Sequence, residues 1–308
     1  MKLLIEVPTW LGDAIMSTPA IENFLNFYQP SSVTIVGSYV STQLFLNHPV
    51  IDNIIIDDTK SSNNRYLALY KLSKKLKDID IAISFRSSFA SKVMMFLSGA
   101  KRRYSFSKSS YEQHQVLKYN DFTNSILKTD FEANDLKIYA SPFKYEKPTL
   151  GINPGATYGS AKRWYPEEFA KIAIQLAPKY DIVIFGGPGE TNIAADIESE
   201  LKQAKVTNYK NVAGKTSIPE LIEKIAGLDL FITNDSGPMH VAAAFKINTY
   251  AIFGPTRFKE TNQWKNPNEH LIRKDLECSP CMKRECPLGH HDCMKLITAK
   301  DVLKEINA

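Results

Sequence analysis

The segment Pro8-Thr9-Trp10-Leu11-Gly12-Asp13 places a carboxylate directly after a short apolar run, at the opening of a helical pattern. Gly12 permits a tight turn, and a carboxylate projecting from such a turn could accept a proton from a hydroxyl nucleophile. Aspartate is also among the preferred helix N-caps, so base and cap both fit Asp13 at this level. Further along, Asn153-Pro154-Gly155-Ala156-Thr157-Tyr158-Gly159-Ser160-Ala161-Lys162-Arg163 combines small residues with hydroxyls and two cations. Small residues let backbone amides approach an anion, Thr157 and Ser160 can donate hydrogen bonds, and Lys162 and Arg163 supply charge; together they suit a diphosphate. A plain exposed loop could carry the same composition. It is not a Walker loop, because Gly-Lys-Ser/Thr is absent.

A third stretch, Thr233-Asn234-Asp235-Ser236-Gly237-Pro238-Met239-His240, ends an apolar run in a polar turn. Pro238 suits the first turn of a small-residue helix whose free amides could face a nucleotide's phosphates. His240 falls inside that helix, where a lone histidine serves structure more often than catalysis. A fourth loop, Phe185-Gly186-Gly187-Pro188-Gly189-Glu190, could bring Glu190 close to the same nucleotide, although glycine-rich turns of this kind are common. All four cysteines lie between Cys278 and Cys293, as Cys278-Ser-Pro-Cys281 followed by Cys286-Pro-Leu-Gly-His290-His291-Asp-Cys293. That spacing is compatible with a four-thiolate zinc site and equally with an iron-sulfur cluster or with reduced thiols. It is not how a disulfide framework spreads over a chain of 308 residues.

Loops of this kind need strands and helices to hold them, and the sequence supplies an alternation of both. In the first half, strands are expected at 3–7, 33–37, 53–56 and 79–85, with helical spacing over 13–27, 66–76 and 88–97. The pattern weakens after residue 119, and the run from Ser141 to Pro148 has the proline and charge content of a linker. A second alternation follows, with strands at 150–153, 182–186, 230–233 and 249–253 and helices at 166–177, 191–202, 218–226 and 238–245. Ser217 and Glu220 form a capping-box signature for the third of these helices. The α/β alternation predicts two Rossmann-like doubly wound domains, 1–146 and 147–308, with every candidate residue in a loop beyond a strand's carboxyl end. Two such domains facing each other would enclose a cleft.

The composition, 44% hydrophobic and 23% charged, is that of a soluble globular protein. The apolar run at the N-terminus is interrupted by Glu6 and Pro8, unlike a signal peptide, and no stretch approaches the roughly eighteen apolar residues of a transmembrane helix. A cytoplasmic protein is therefore expected. The net charge of +5 hides an asymmetry: residues 60–118 hold thirteen Lys or Arg against three acids. Such a surplus suits an anionic partner, or is a solvated basic face. Within it, Arg86, Lys92, Lys101, Arg102 and Arg103 are the candidates for contacting an anionic acceptor, chosen by charge and loop position. A nucleic-acid-binding protein would also use such a segment, but no recognition module is present and none is expected to bind here.

In sequence order, Pro8-x-Trp10-x-Gly12-Asp13, Asn153-Pro-Gly-Ala156 through Lys162-x-Trp164-x-Pro166, Asn234-Asp235-Ser236-Gly237-x-Met239-His240 and Phe253-Gly254-Pro255-Thr256 resemble the motifs of glycosyltransferase family 9, the lipopolysaccharide heptosyltransferases. The Cys-Pro-Leu-Gly-His-His segment favours the branch that adds the second heptose over the branch that adds the first. The resemblance implies a GT-B fold and inverting transfer from ADP-heptose to heptosyl-Kdo2-lipid A at the inner membrane, without a covalent intermediate. It implies Asp13 as general base and Lys162 as a diphosphate contact with Thr157 beside it. Asp235, Ser236, Gly237 and His240 are implied around the heptose and phosphates. No cofactor is implied, and a structural zinc at Cys278, Cys281, Cys286 and Cys293 is an unrequired option. Tyr158 and Gly159 depart from the family pattern, which leaves side-chain contacts at those two positions open. Transfer to an acceptor lacking heptose, and a sugar-nucleotide epimerase of the same architecture, are the neighbouring readings; the epimerase leaves the basic segment without a purpose.

Overall fold

A computed structural model describes residues 1–108 and 111–307. The chain divides into two compact units, Met1–Tyr139 and a second that begins at Ala140. The division falls before the expected 146/147 boundary because the supposed linker packs on the second unit. The Phe143 N–H donates to the Glu223 carbonyl at 2.8 Å, and the Tyr145 hydroxyl to the Lys224 carbonyl at 3.1 Å.

The first unit holds β1 (Lys2–Glu6), β2 (Ser32–Gly37), β3 (Asn53–Ile56), β4 (Ile81–Ser84) and β5 (Arg102–Ser105) in the order β3-β2-β1-β4-β5. All neighbours are parallel. Its helices are α1 (Leu11–Met16), α2 (Thr18–Tyr28), α3 (Tyr39–Thr42), α4 (Arg65–Ser73), α5 (Phe89–Leu97) and α6 (Gln115–Leu127). The expected single helix from Asp13 to Phe27 is two: the Ser17 and Thr18 hydroxyls donate to the carbonyls of Ala14 and Ile15, and Pro19 cannot donate to the turn before it. Leu4, Val36 and Ala82 of the sheet bury Leu69, Leu72, Ala90, Met94 and Met95 of α4 and α5.

The second unit orders β6 (Thr149–Asn153), β7 (Asp181–Ile184), β8 (Tyr209–Asn211), β9 (Leu230–Asn234), β10 (Asn248–Ile252) and β11 (Glu269–Ile272) as β11-β10-β9-β6-β7-β8, again all parallel. Its helices are α7 (Pro166–Leu176), α8 (Thr191–Gln203), α9 (Ile218–Ala226), α10 (Gly237–Ala244), α11 (Phe258–Thr261), α12 (Asp292–Lys295) and α13 (Ala299–Ile306). The Ser217 and Glu220 capping box forms as the sequence requires, with the Glu220 N–H donating to the Ser217 hydroxyl and the Ser217 N–H to the Glu220 carboxylate. Parallel strands buried on both faces read as continuous apolar runs, and β6 and β9 are buried at every position.

Candidate functional site

In the second unit, the candidate residues gather at the carboxyl ends of β6, β9 and β10. Trp164 anchors it: the indole is 1% exposed, and its Nε1–H donates to the Ile297 carbonyl at 2.9 Å. The Trp164 backbone N–H donates to Asn234 Oδ1 at 3.1 Å, while Asn234 Nδ2 donates to the Pro154 carbonyl at 2.7 Å. One amide side chain thus ties both ends of the Pro154–Trp164 loop to the end of β9. Asn153 links the same pieces from β6, reaching the Ser236 hydroxyl at 3.3 Å.

Two residues before Trp164, Lys162 extends to Asp235 with its Nζ 2.6 Å from Oδ2 and 3.2 Å from the Asp235 carbonyl. The Lys162 side chain is 13% exposed and that of Asp235 4%. The Thr256 hydroxyl donates to the same Asp235 oxygen at 2.5 Å. Lys162 also lies 4.9 Å from the Tyr158 ring centroid, a cation–π contact that holds the ammonium at the loop's mouth. Thr157 and Ser160 are exposed on this loop. Ser236 caps α10 without spending its hydroxyl on the helix, and Pro238 occupies the first turn. Pro238 has no N–H and the Met239 N–H donates to the Ser236 carbonyl at 3.1 Å, so at the start of that helix it is the Gly237 N–H that remains for an anion. Glu190 is buried: its carboxylate accepts from the Gly187 N–H at 2.8 Å and lies where a side chain on Gly155 would stand. It shapes the loop from below. His240 is buried one turn into α10.

The cysteine-rich segment braces this loop, a connection the sequence did not disclose. The Ala161 N–H donates to the Arg284 carbonyl at 3.0 Å, and the Tyr158 hydroxyl to the Met282 carbonyl at 2.8 Å. His291 uses both ring nitrogens, Nε2 at 2.9 Å from the Ala161 carbonyl and Nδ1 at 3.2 Å from the Tyr165 hydroxyl. The carbonyl must accept, so Nε2 carries the proton and Nδ1 accepts from Tyr165. Tyr158 and Gly159 owe their identities to this brace: a Cβ on Gly159 would stand 2.2 Å from the Arg284 carbonyl oxygen. Because Gly159 is extended, the obstacle is steric and not conformational. Gly159→Ala should part the two segments at a cost of about 1–3 kcal/mol, read as a lowered melting temperature.

None of the four cysteines is in a disulfide, and burial with the neighbouring Cys281, Cys286 and Cys278 pushes the Cys293 thiol up to about 11. Backbone N–H groups of His291, Leu288 and Gly289 pull the Cys286 thiol down. Among the described residues, no three His, Cys, Asp or Glu side chains converge on a point a metal could occupy.

In the first unit, Asp13 is the third residue of α1, with Trp10 as N-cap. The cap role is therefore taken by another residue, and the first-turn carboxylate is favoured by the helix dipole. Its neighbour across the fold is Tyr119 of α6, whose buried phenol is raised further by the negative charge of Asp13. Below them Arg86, at the end of β4, is 9% exposed, with Nη1 3.2 Å from Glu6 and 3.1 Å from Asp57 and Nε donating to the Val7 carbonyl at 2.7 Å. Burial raises the Glu6 carboxyl despite Arg86; for Asp57 burial is outweighed by hydrogen bonds from Thr59 and by Arg86, and its pKa falls. Arg86 thus spends most of its donors tying three strand ends together, while its buried Nη2 has no hydrogen-bond partner among the described residues. Lys92 is exposed in the first turn of α5. Lys101 stands at the amino end of β5, 2.7 Å from Asp80, and Arg102 lies over the Tyr28 ring. Arg103 reaches the Phe96 ring at the far end of α5. The five basic candidates are therefore not one patch: Arg86 and Lys92 share the carboxyl edge with Asp13, and Lys101 and Arg102 lie at the opposite edge.

Two Rossmann-like parallel α/β units, with a small-residue loop and a helix N-terminus beyond the strands of the second, are the parts of the GT-B fold, which sugar-nucleotide transferases and epimerases share. Residues 123–291 match the family described as glycosyltransferase family 9 (heptosyltransferase). The lipooligosaccharide heptosyltransferase 2 of Campylobacter jejuni is 43% identical over 99% of this chain and 97% of its own length. The lipopolysaccharide heptosyltransferase 2 of Escherichia coli K12 is 25% identical over 100% and 98%. The solved E. coli ADP-heptose heptosyltransferase II superposes with a TM-score of 0.83 at 24% identity, covering 100% of this chain and 98% of that one. The chain belongs to glycosyltransferase family 9.

Two contributors to the site escaped the sequence reading. Thr256 was legible as part of a strand-end motif but carried no role until its hydroxyl was seen on Asp235. His291 read as part of a cysteine cluster, because its partners Ala161 and Tyr165 are more than a hundred residues away.

Proposed function

We propose that this chain transfers a heptose from ADP-L-glycero-D-manno-heptose to the first heptose of heptosyl-Kdo2-lipid A, the inner core of a lipopolysaccharide precursor, with inversion. The observation that carries the reading is the match along nearly the whole chain to the Campylobacter jejuni lipooligosaccharide heptosyltransferase 2. Asp13 takes the proton of the attacking hydroxyl. Lys162 and the Gly237 N–H at the start of α10 stabilise the charge that grows on ADP as the glycosidic bond breaks. Thr157, Ser160 and Ser236 donate to the diphosphate, while Asp235, held by Thr256, sets the position of the Lys162 ammonium. Glu190 and His240 shape the walls around the donor. With cations and amides already supplying the electrostatics, the reaction needs no divalent ion and no cofactor. Lys92, exposed at the same edge as Asp13, faces the anionic acceptor, with Arg86 holding the strand ends behind it, and nucleic acid has no part.

Among the described residues no helix is long and apolar enough to cross a membrane. The acceptor is lipid-anchored, so the enzyme works at the cytoplasmic face of the inner membrane as a peripheral protein.

Mass spectrometry of heptosyl-Kdo2-lipid A after incubation with the protein and ADP-heptose, ADP-glucose or UDP-glucose tests this. One added heptose is expected from ADP-heptose alone, equally with EDTA. Addition only to an acceptor lacking heptose would move the chain to the first-heptose reaction, and loss of product in EDTA would overturn the metal-free account.

A further inference from the structure

The outward faces of α4 and α5 do not look like the solvent side of an ordinary amphipathic pair. Both helices bury their apolar stripe in the first unit's core, yet Tyr66, Leu67 and Tyr70 of α4 and Phe89 and Phe96 of α5 remain exposed, the two phenylalanines at 70% and 69%. Surface helices place polar residues on that side. Here the polar residues present are cations: Lys71 and Lys92 within the helices, Lys74 directly after α4, and Arg103 beside Phe96. Neither helix contains an acid. Lys74 Nζ lies 4.6 Å from the Tyr70 ring centroid and the Arg103 guanidinium 5.2 Å from that of Phe96, so the charges sit against the rings.

We propose that this α4–α5 face docks on an anionic phospholipid bilayer. Exposed aromatic and leucine side chains enter the headgroup boundary, while lysines and arginines around them meet anionic headgroups. Lysine is depleted at protein–protein interfaces, which argues against a protein partner for a lysine-rich face. A single nucleic-acid strand would want a groove to follow, and two helices lying side by side on a sheet offer a convex surface. The placement also has a purpose: α5 starts at the carboxyl end of β4, the hydrogen-bonded neighbour of β1, beyond which Asp13 lies. A bilayer against Phe89 and Lys92 would therefore adjoin the edge at which the acceptor hydroxyl must arrive; this purpose rests on the lipid-anchored acceptor proposed above, while the docking itself does not.

The full-length protein should cosediment with vesicles of phosphatidylethanolamine and phosphatidylglycerol, in a salt-sensitive manner, and hardly with vesicles of phosphatidylcholine. Leu67→Ser/Phe96→Ser and, separately, Lys71→Glu/Lys74→Glu should each weaken that binding roughly tenfold or more. The substituted residues are exposed, so the melting temperature should not move. Transfer to a deacylated, water-soluble acceptor should be unchanged in both variants, and transfer to vesicle-embedded acceptor should fall. Wild-type vesicle binding in both variants, equal affinity for phosphatidylcholine, or binding to single-stranded RNA but not to vesicles would overturn the proposal. Vesicle binding that depends on this face together with no transfer to any heptose acceptor would instead overturn the acceptor assignment and leave the docking surface standing.

Discussion

Replacing Asp13 with asparagine is expected to lower the rate of heptose transfer by roughly 10²–10⁴, the usual contribution of a positioned general base. Asparagine keeps the shape of the side chain in the first turn of α1 and removes its ability to take a proton. Donor binding should be nearly unchanged, because Asp13 belongs to the first unit and every residue assigned to the diphosphate belongs to the second. Asp13→Ala should behave alike in rate. Single-turnover transfer separates the effect from product release, and calorimetric titration with ADP reports the donor site. Normal single-turnover rates in Asp13→Asn would remove Asp13 from the base role. A matching loss of ADP affinity would make its role one of folding. The variant also has a local reporter: loss of the Asp13 charge should relieve part of the upward shift on the Tyr119 phenol.

How much of this could be read from the chain alone follows from what each element buries. Strands β1, β4, β6, β9 and β10 were legible because sheet centres bury nearly every side chain and so appear as apolar runs. Of the edge strands, β3 was legible as an apolar Asn-Ile-Ile-Ile run, while β5, β8 and β11 were not. β5 reads Arg-Arg-Tyr-Ser, with its two arginines exposed, and was taken as part of a basic segment; β8 is three residues long with none buried. An edge strand has a neighbour on one side only and is commonly short and charged, which leaves hydropathy little to show. Helix α6 was hidden differently. Its buried face includes Lys118, Asn120 and Thr123, and Asn120 reaches Asn23 at 2.9 Å and the Phe131 carbonyl at 2.6 Å. A buried face built partly of polar residues, one of them paired with Asn23 of α2, leaves no apolar period.

The site shows the same division. Asp13, Lys162 and the Asp235–Gly237 turn stand beyond strand carboxyl ends as expected, because the strand and helix periods on either side of them are readable in the chain. Their partners were not readable: Thr256 on Asp235, and His291 and Arg284 on the 154–164 loop, are bonds between residues that only the fold makes neighbours. The basic candidates divide as well: charge and loop position grouped Arg86 with Lys101 and Arg102, and the fold sets them at opposite edges of the sheet, because a strand carries consecutive segments from one edge to the other.

Lys162 carries the other large expected effect, and its buried partner makes the experiment need two variants. Lys162→Ala should lower transfer by about 10²–10³, the loss seen when one preorganised stabiliser of developing charge is removed. The same change strands the Asp235 carboxylate, whose side chain is 4% exposed, with Thr256 as its remaining side-chain partner. Breaking a buried pair in this way costs about 3–5 kcal/mol of stability, so a slow enzyme could simply be a poorly folded one. Removing both charges with Lys162→Met/Asp235→Asn separates the two. A neutral pair leaves no uncompensated charge, and the melting temperature should return most of the way to that of the native protein. The transfer rate should stay low, because nothing replaces the ammonium at the leaving diphosphate. Recovery of stability without recovery of rate assigns Lys162 to the chemistry. Recovery of both would reduce the Lys162–Asp235 pair to a strut, and the charge growing on ADP would then fall to the Gly237 N–H and the loop hydroxyls.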